Sequence, residues 1–227
     1  MTPDERWLRT MWPFVRDHLA PPPARVVDLG CGPIGGYVPM LRASGYEAVG
    51  VDPDAPHGAD YHRVEFERAD LPRHVDAVVA STSLHHVADP DAVIDQISDT
   101  LAPGGTVVIV EWDWNAFDEL TARWCFQRLA SSEPPGWLHR HRDEWTSSGQ
   151  DWDDYLREWT QREGLHAVER LVRSLNRRFQ RLLVARGPYF FPDLAGTSDA
   201  DERAAIDARR IQANRVDYVG TKPSSAT

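Results

Sequence analysis

The chain has 227 residues, 41% hydrophobic and 10% aromatic, with 25 Lys and Arg against 35 Asp and Glu and a formal net charge of -10. That apolar fraction excludes a disordered chain, and two distant cysteines, Cys31 and Cys125, exclude a disulfide scaffold or a structural zinc site. The acidic balance repels polyanions, no run approaches the roughly 20 apolar residues of a membrane span, and the charged N-terminus lacks a secretory core, so we expect a cytoplasmic protein that partners neither nucleic acid nor membrane.

Between residues 4 and 19, Trp7, Leu8, Met11, Phe14, Val15 and Leu19 fall near one face, which predicts a short helix ahead of Pro21-Pro22-Pro23 and sets residues 1–23 apart. Arg25 to Leu29 reads as a strand running into the glycine-rich GCGPIGG, Tyr37 to Ser44 as a helix stopped by Gly45, and Glu47 to Asp52 as a second strand. The short connection PDAPHGAD leads to a third strand near Tyr61 to Glu67, with the usual crossover helix lost or reduced to a turn. Val75 to Ser81 is an apolar strand. Asp91 to Leu101 is a helix with Val93, Ile94, Ile97 and Leu101 inward, and Thr106 to Asp113 is a strand after the turn Pro103-Gly104-Gly105. This alternation over residues 24–114 predicts a doubly wound α/β sheet.

From 115 to 180 the periodicity becomes helical, and seven of the nine tryptophans lie between Trp112 and Trp159. Trp152, Tyr155, Leu156 and Trp159 share one helix face, and Phe117, Leu120 and Trp124 form a similar stripe. Any single ring here is ordinary core packing, but together they suggest a helical cap over a ligand cleft. His139, His141 and Tyr189 read as surface residues of this lid without a role, and the two histidines lack a third ligand at metal spacing, so no metal is expected. The basic cluster Arg170 to Arg181 alternates with Leu171, Val172, Leu175 and Phe179, the pattern of a solvated amphipathic helix face. A strand-like stretch from Arg181 to Phe191, a helix near Ala200 to Gln212 and a strand from Arg215 to Gly220 fill residues 181–221, leaving 222–227 as a frayed tail. Nothing in the pattern signals an oligomeric state.

Gly30-Cys31-Gly32-Pro33-Ile34-Gly35 follows a strand and fits the dinucleotide fingerprint, with Asp52 ending the next strand. Against a nicotinamide dinucleotide stands Asp28, two residues before the first glycine, with no Lys or Arg from Asp28 to Tyr37 to offset a pyrophosphate. The chain also lacks a Tyr-x-x-x-Lys pair; its only lysine is Lys222. A ligand with a ribose, an amine and a sulfonium suits both acids better: Asp52 can accept from the ribose hydroxyls and Asp28 can attract the cationic end. S-adenosylmethionine is such a ligand.

Four segments in order, VVDLGCGPIGG, GVDPD, VDAVVASTSLHHVADP and LAPGGTVVIVEWDW, together resemble the class I S-adenosylmethionine-dependent methyltransferases of the small-molecule type with a Leu-His-His-Val element. The resemblance implies a mostly parallel seven-stranded Rossmann-like sheet with an antiparallel final strand. It also implies that Gly30, Cys31 and Gly32 line the methionine and ribose, that Asp28 sits near the amino-acid end, that Asp52 grips the ribose, and that Pro53 packs on adenine. Glu67 is registered to the adenine amine, with Glu65 and Asp70 as competitors, and the Ser81 carbonyl to the ammonium.

The implied activity is in-line methyl transfer to an oxygen, nitrogen or carbon of a small-molecule acceptor, where positioning and a dry cleft matter most. A non-catalytic S-adenosylmethionine-binding module and, less well supported, a nicotinamide oxidoreductase are the alternatives. His85 and His86 follow the fourth strand at the ligand edge and are candidate proton acceptors, although Leu-His-His-Val can equally close the floor. Trp112 and Trp114 are candidate acceptor walls, and Asp113 a candidate orienting group.

Overall fold

The computed structural model describes residues 1–131 and 135–224. After α1 (Pro3–Asp17), β1 (Arg25–Leu29), α2 (Val38–Ala43), β2 (Glu47–Val51), β3 (Tyr61–His62), β4 (Val75–Ser81), α3 (Pro90–Thr100) and β5 (Leu101–Trp112) build most of the sheet. Four helices follow: α4 (Glu119–Phe126), α5 (Trp137–Ser148), α6 (Trp152–Arg162) and α7 (Val168–Arg178). The chain then returns as β6 (Gln180–Gly187), α8 (Asp199–Asp207) and β7 (Arg215–Thr221). The seven strands lie in the order β3-β2-β1-β4-β5-β7-β6, with β7 antiparallel to both its neighbours and the rest of the core parallel. This is the doubly wound sheet expected from the alternation, with the Rossmann-like form and antiparallel final strand that the resemblance implies.

Parallel strands covered on both faces read as continuous apolar runs. Accordingly, Val27, Val78, Val107 and Ile109 pack on one side against Ile94, Ile97, Leu171 and Leu175 from α3 and α7. Their strand neighbours Val26, Val79, Val108 and Val110 pack on the other against Trp7, Met11, Val15 and Leu41 from α1 and α2. The basic face of α7 does point outward, but it is not simply solvated: Arg177 and Arg178 reach Asp91 and Asp95 of α3, which ties the two helices.

Four local expectations change. The third strand ends at His62 rather than Glu67, because as an edge strand it has one partner and its charged residues gain nothing from pairing. Phe66 is buried instead through a 3-10 turn, Phe66–Arg68, whose first carbonyl accepts from Gln96 Nε2 at 2.9 Å. The segment Pro103-Gly104-Gly105 is a bulge inside β5, which begins at Leu101; Val75 pairs with Leu101 and Ala77 already with Thr106. Leu120 is 68% exposed and leaves the stripe made by Phe117 and Trp124. Lys222 is not frayed: its backbone bonds Gly104 and Gly105, and its ammonium donates to the carbonyls of Ser98 and Leu101 at the end of α3, a favourable place for a cation. Residues 225–227 of the expected tail lie outside the described residues.

A third cluster, rich in aromatic rings, gathers Trp112, Phe117, Trp152, Tyr155 and Phe190 with Leu138, Leu156 and Leu194 between the sheet and α4–α6. The loop that carries Tyr189, Phe190 and Phe191 into it is held by one buried carboxylate: Glu202 of α8 accepts from their backbone N–H groups at 2.7, 3.2 and 2.7 Å. Glu202→Ala leaves three buried donors unmatched, so a loss of about 3–5 kcal/mol is expected in denaturant unfolding. A loss below about 1 kcal/mol would show that the loop repacks without it.

Candidate active site

Strand order reverses between β1 and β4, and in open α/β sheets the crevice beyond the strand ends at such a point receives the ligand. Gly30 leaves β1 with φ +76°, and a Cβ placed there would stand 2.3 Å from Ser83 Cβ, so only glycine lets the two strand ends close up. Gly36 is as constrained: its φ is +55°, and a Cβ would lie 2.2 Å from the Asp28 carboxylate.

Two cavities flank this crevice. A groove of about 670 Å³ runs past Gly30, Asp52, Pro53, Glu65, Glu67 and Ser81. A smaller pocket of about 210 Å³ is lined by Asp28, Gly30, Cys31, Gly32 and Ser81, with Asp4, Trp7 and Leu8 of α1 as its outer wall. Asp52 already accepts from the Asp54 N–H at 2.7 Å through Oδ1, an Asx-type bond that shapes its own loop. Glu67 lies in the 3-10 turn rather than at a strand end, yet it and Glu65 reach the groove; Asp70 does not line it. The Ser81 carbonyl accepts from the Thr82 hydroxyl at 2.8 Å, and its side-chain oxygen accepts from Trp7 Nε1 at 2.9 Å, which pins α1 over the smaller pocket.

Asp28 is 2% exposed, and its carboxyl Oδ2 accepts from the Tyr37 N–H at 2.6 Å. Burial pushes its carboxyl up to about 7; the Tyr37 N–H opposes the shift and the Asp52 charge adds to it. Cys31 is pushed up to about 12 by burial and then by Asp28, so its thiol is inert.

A third cavity, about 440 Å³, lies on the far side of Thr82. Its walls include Trp112, Trp137, Trp159 and Tyr189, with His85 and His141 among them. Thr82 lines all three cavities. It is a β-branched residue at φ +54°, an arrangement that costs on the order of 1–3 kcal/mol and is held by the Thr82 N–H donating to the Val110 carbonyl at 2.7 Å.

Glu111 organises the floor. One percent exposed at the end of β5, it accepts from the Ser83 and Leu84 N–H groups at 3.0 and 2.7 Å through Oε1. Its Oε2 faces His85 Nδ1 at 2.5 Å and accepts from the Trp112 N–H at 3.3 Å. A carboxylate only accepts, so Nδ1 carries the proton and Nε2 is left as the acceptor of the neutral ring. His86 lies at 4.1 Å from the His85 ring and borders both the groove and the aromatic pocket. Part of it stays exposed, but the hydration its ring loses, then the neighbouring His85, push it down to about 4.

The structure therefore brings His85, His86 and Trp112 to one pocket but not Asp113 or Trp114. Asp113 is buried, its carboxylate captured by Arg186 and its carbonyl by Asn214 Nδ2, because the chain turns inward once β5 ends. Trp114 donates to the His166 carbonyl at 3.2 Å. His141 and Tyr189 are not surface residues: His141 is 3% exposed, and Tyr189 stacks on Trp112 at 5.9 Å with the rings 10° apart. Sequence reasoning also missed Thr82, Gly36 and Glu111; for Glu111 the signal was an acid closing an apolar strand. Among the described residues no group of three or more His, Cys, Asp or Glu is placed to hold a metal, and no helix is long and apolar enough to cross a membrane.

Comparison with known proteins agrees with this geometry. Residues 5–181 match the family model described as a methyltransferase domain. A ubiquinone biosynthesis O-methyltransferase of Xanthomonas campestris pv. campestris is 32% identical over 112 residues, covering 42% of this chain and 46% of that protein, so the chain spans about half the length of the curated relatives it matches. In fold it resembles an S-adenosylmethionine-dependent methyltransferase from Mesorhizobium loti (TM-score 0.58, 19% identity, 93% of this chain and 97% of that one). It also resembles an N-methyltransferase from Bradyrhizobium japonicum solved with S-adenosylhomocysteine (TM-score 0.54, 14% identity, 98% and 89%). The chain belongs to the methyltransferase-domain family, in its class I S-adenosylmethionine-dependent form, and S-adenosylmethionine is the cofactor that goes with it.

Proposed function

We propose that this protein moves a methyl group from S-adenosylmethionine to the hydroxyl of a flat small molecule by in-line displacement. The observation that carries the reading is the convergence of three cavities on Thr82, which lines both the crevice at Gly30 and an aromatic pocket holding His85. Both ligands can thus meet at one residue.

The groove fits the cofactor on three counts. Gly30 and Gly36 keep the backbone close where any Cβ would collide. Asp52 keeps Oδ2 for hydroxyl donors. The pocket beside the glycine loop offers carboxylates, Asp4 and Asp28, and no cation, which suits an amine and a sulfonium and disfavours a pyrophosphate. Bound there, S-adenosylmethionine supplies a methyl group on a leaving group that needs no acid assistance.

What remains for the protein is to position the acceptor and take its proton. His85 Nε2 serves as base, with Glu111 fixing the tautomer and stabilising the imidazolium that forms. His86, pushed down to about 4, borders both the groove and the pocket and stays a neutral wall between them. A non-catalytic binding protein has no need of a carboxylate-held imidazole beyond its cofactor groove. The name O-methyltransferase carried by the curated relative is in keeping with an oxygen nucleophile. Transfer of label from methyl-labelled S-adenosylmethionine to a panel of hydroxylated aromatics tests the reading, and protein that binds S-adenosylhomocysteine but labels none of the panel would refute it.

Two outcomes are expected. Asp28 must be ionised to attract the cationic end of the cofactor, and its carboxyl stands at about 7 in the free protein, so binding displaces a proton below that pH. Calorimetric affinity should be flat above pH 8 and fall by up to about tenfold per unit below pH 6, and Asp28→Asn should be weak and pH-independent. In Glu111→Gln the amide donates to His85 Nδ1 and moves the ring proton to Nε2, so kcat should fall by about 10²–10⁴ with cofactor affinity within about twofold. An unchanged kcat would remove His85 from the mechanism.

A further inference from the structure

Positive φ is almost wholly left to glycine in this chain. Among the described residues, ten glycines adopt it, and only His74 (+62°), Thr82 (+54°) and Arg209 (+55°) do so with a side chain. Histidine is one of the residue types enriched in that region, and Arg209 closes α8 with its N–H on the Ile206 carbonyl at 2.8 Å, where such a conformation is ordinary. Neither reason applies to Thr82, whose β-branched side chain is poorly fitted to this backbone.

The turn itself does not need threonine. The Thr82 N–H donates to the Val110 carbonyl at 2.7 Å, and the next two N–H groups, of Ser83 and Leu84, go to Glu111; a glycine would keep all three bonds. What the side chain adds is a hydroxyl, tied back to the Ser81 carbonyl at 2.8 Å, and a γ-methyl group on a stiff χ1. Strain of this kind calls for a role at the place where it is held.

That place is where the cavities converge. Thr82 borders the groove with Gly30 and Asp52, the pocket with Asp28, and the aromatic pocket with His85. It also borders a fourth cavity, of about 120 Å³, beside Trp7 and Tyr189. Among the described residues no other lines all four. In-line displacement needs sulfur, methyl carbon and nucleophile on one axis with water kept away, which bulk at the crossing supplies and a glycine would not.

We propose that Thr82 is a positioning residue for methyl transfer: its branched side chain forms a collar between the cofactor groove and the aromatic pocket, with its γ-methyl against the S-methyl group of bound S-adenosylmethionine. This rests on the methyltransferase reading and deepens it, because it names the residue that keeps the methyl group on the axis toward His85. The backbone strain at Thr82 is then stability given up for function.

The test is NMR on the full chain with isotope-labelled threonine methyl groups, saturated with S-adenosylmethionine labelled in its S-methyl group. An NOE between the S-methyl group and a threonine methyl is expected in the wild type and lost in Thr82→Ser, with calorimetric affinity for the cofactor within about threefold. This contact needs no acceptor, so it decides even where the panel of hydroxylated aromatics labels nothing. Thr82→Asn suits the backbone but lacks the branch, so it should melt no lower than wild type yet transfer label about 10²-fold more slowly to the best acceptor of that panel. Thr82→Val keeps the branch without the hydroxyl and should stay within about threefold of the wild-type rate. His74→Asn and Arg209→Asn make the same change away from the cavities and should leave the rate as it is. Bound cofactor without the NOE, a Thr82→Asn variant as fast as wild type, or a Thr82→Val variant as slow as Thr82→Asn overturns the collar. Slow transfer accompanied by a lowered melting temperature in Thr82→Asn marks a structural role and overturns it too. Protein that fails to bind S-adenosylmethionine at all refutes the methyltransferase reading together with the collar.

Discussion

A single buried carboxylate sets the geometry on which the functional end of this protein depends. Glu111 gathers the N–H groups of Ser83, Leu84 and Trp112 and the Nδ1 of His85 around its two oxygens. It thereby fixes how the chain leaves β4, where β5 ends, and which nitrogen of His85 is free. A carboxyl group this deep is tolerable only because its acceptor capacity is nearly saturated. Withdraw it and the turn from Ser83 to His86 loses its anchor, and with it both the wall of the groove and the floor of the aromatic pocket. Thr82 is held in its unfavourable backbone conformation between this anchor and the Val110 carbonyl, so the strain at the junction of the cavities is sustained by packing on both sides.

The two halves of the site come from different parts of the chain. Residues around the groove sit on the ends of β1, β2 and β4, whose positions the parallel ladder dictates. The pocket walls come from α5, α6 and the loop at Tyr189, which rest on the sheet through aromatic contacts and the clamp of Glu202. Among the described residues, only Thr82 and His86 border both. On the proposed reading, acceptor choice can change by substitution in the helical segment while the glycine loop stays as it is, which is how one fold hosts many chemistries.

Legibility from sequence followed the same division. Strands β1 and β2 are largely apolar runs bounded by Gly and Pro, and their ends place Asp28, Gly30 and Asp52 without reference to anything distant. β3 was overestimated because an alternation of charged and apolar residues reads as a strand, whereas an edge position with one partner leaves Phe66 better buried in a turn. Asp113 was assigned to the pocket because it follows a central strand; Arg186, brought alongside by β6, claims it instead. The roles of Glu111 and His141 were the least legible. The partners of the first are mostly backbone N–H groups, which no side-chain pattern encodes, and the second lies in a helix whose Arg, Asp and Glu content masks a buried face. Tertiary contacts, not local propensity, decide such residues.

The crowding of indoles around the acceptor pocket has an optical consequence. Trp112, Trp137 and Trp159 stand within 5.3–6.1 Å of one another's rings along two of the three edges, close enough for excitation to pass among them before emission. Trp112 also lies beside His85, an imidazole that quenches when protonated. The emission of these three indoles is thus gathered beside His85, where on the proposed reading the acceptor sits, so this pocket carries its own optical reporter of occupancy, with no label added.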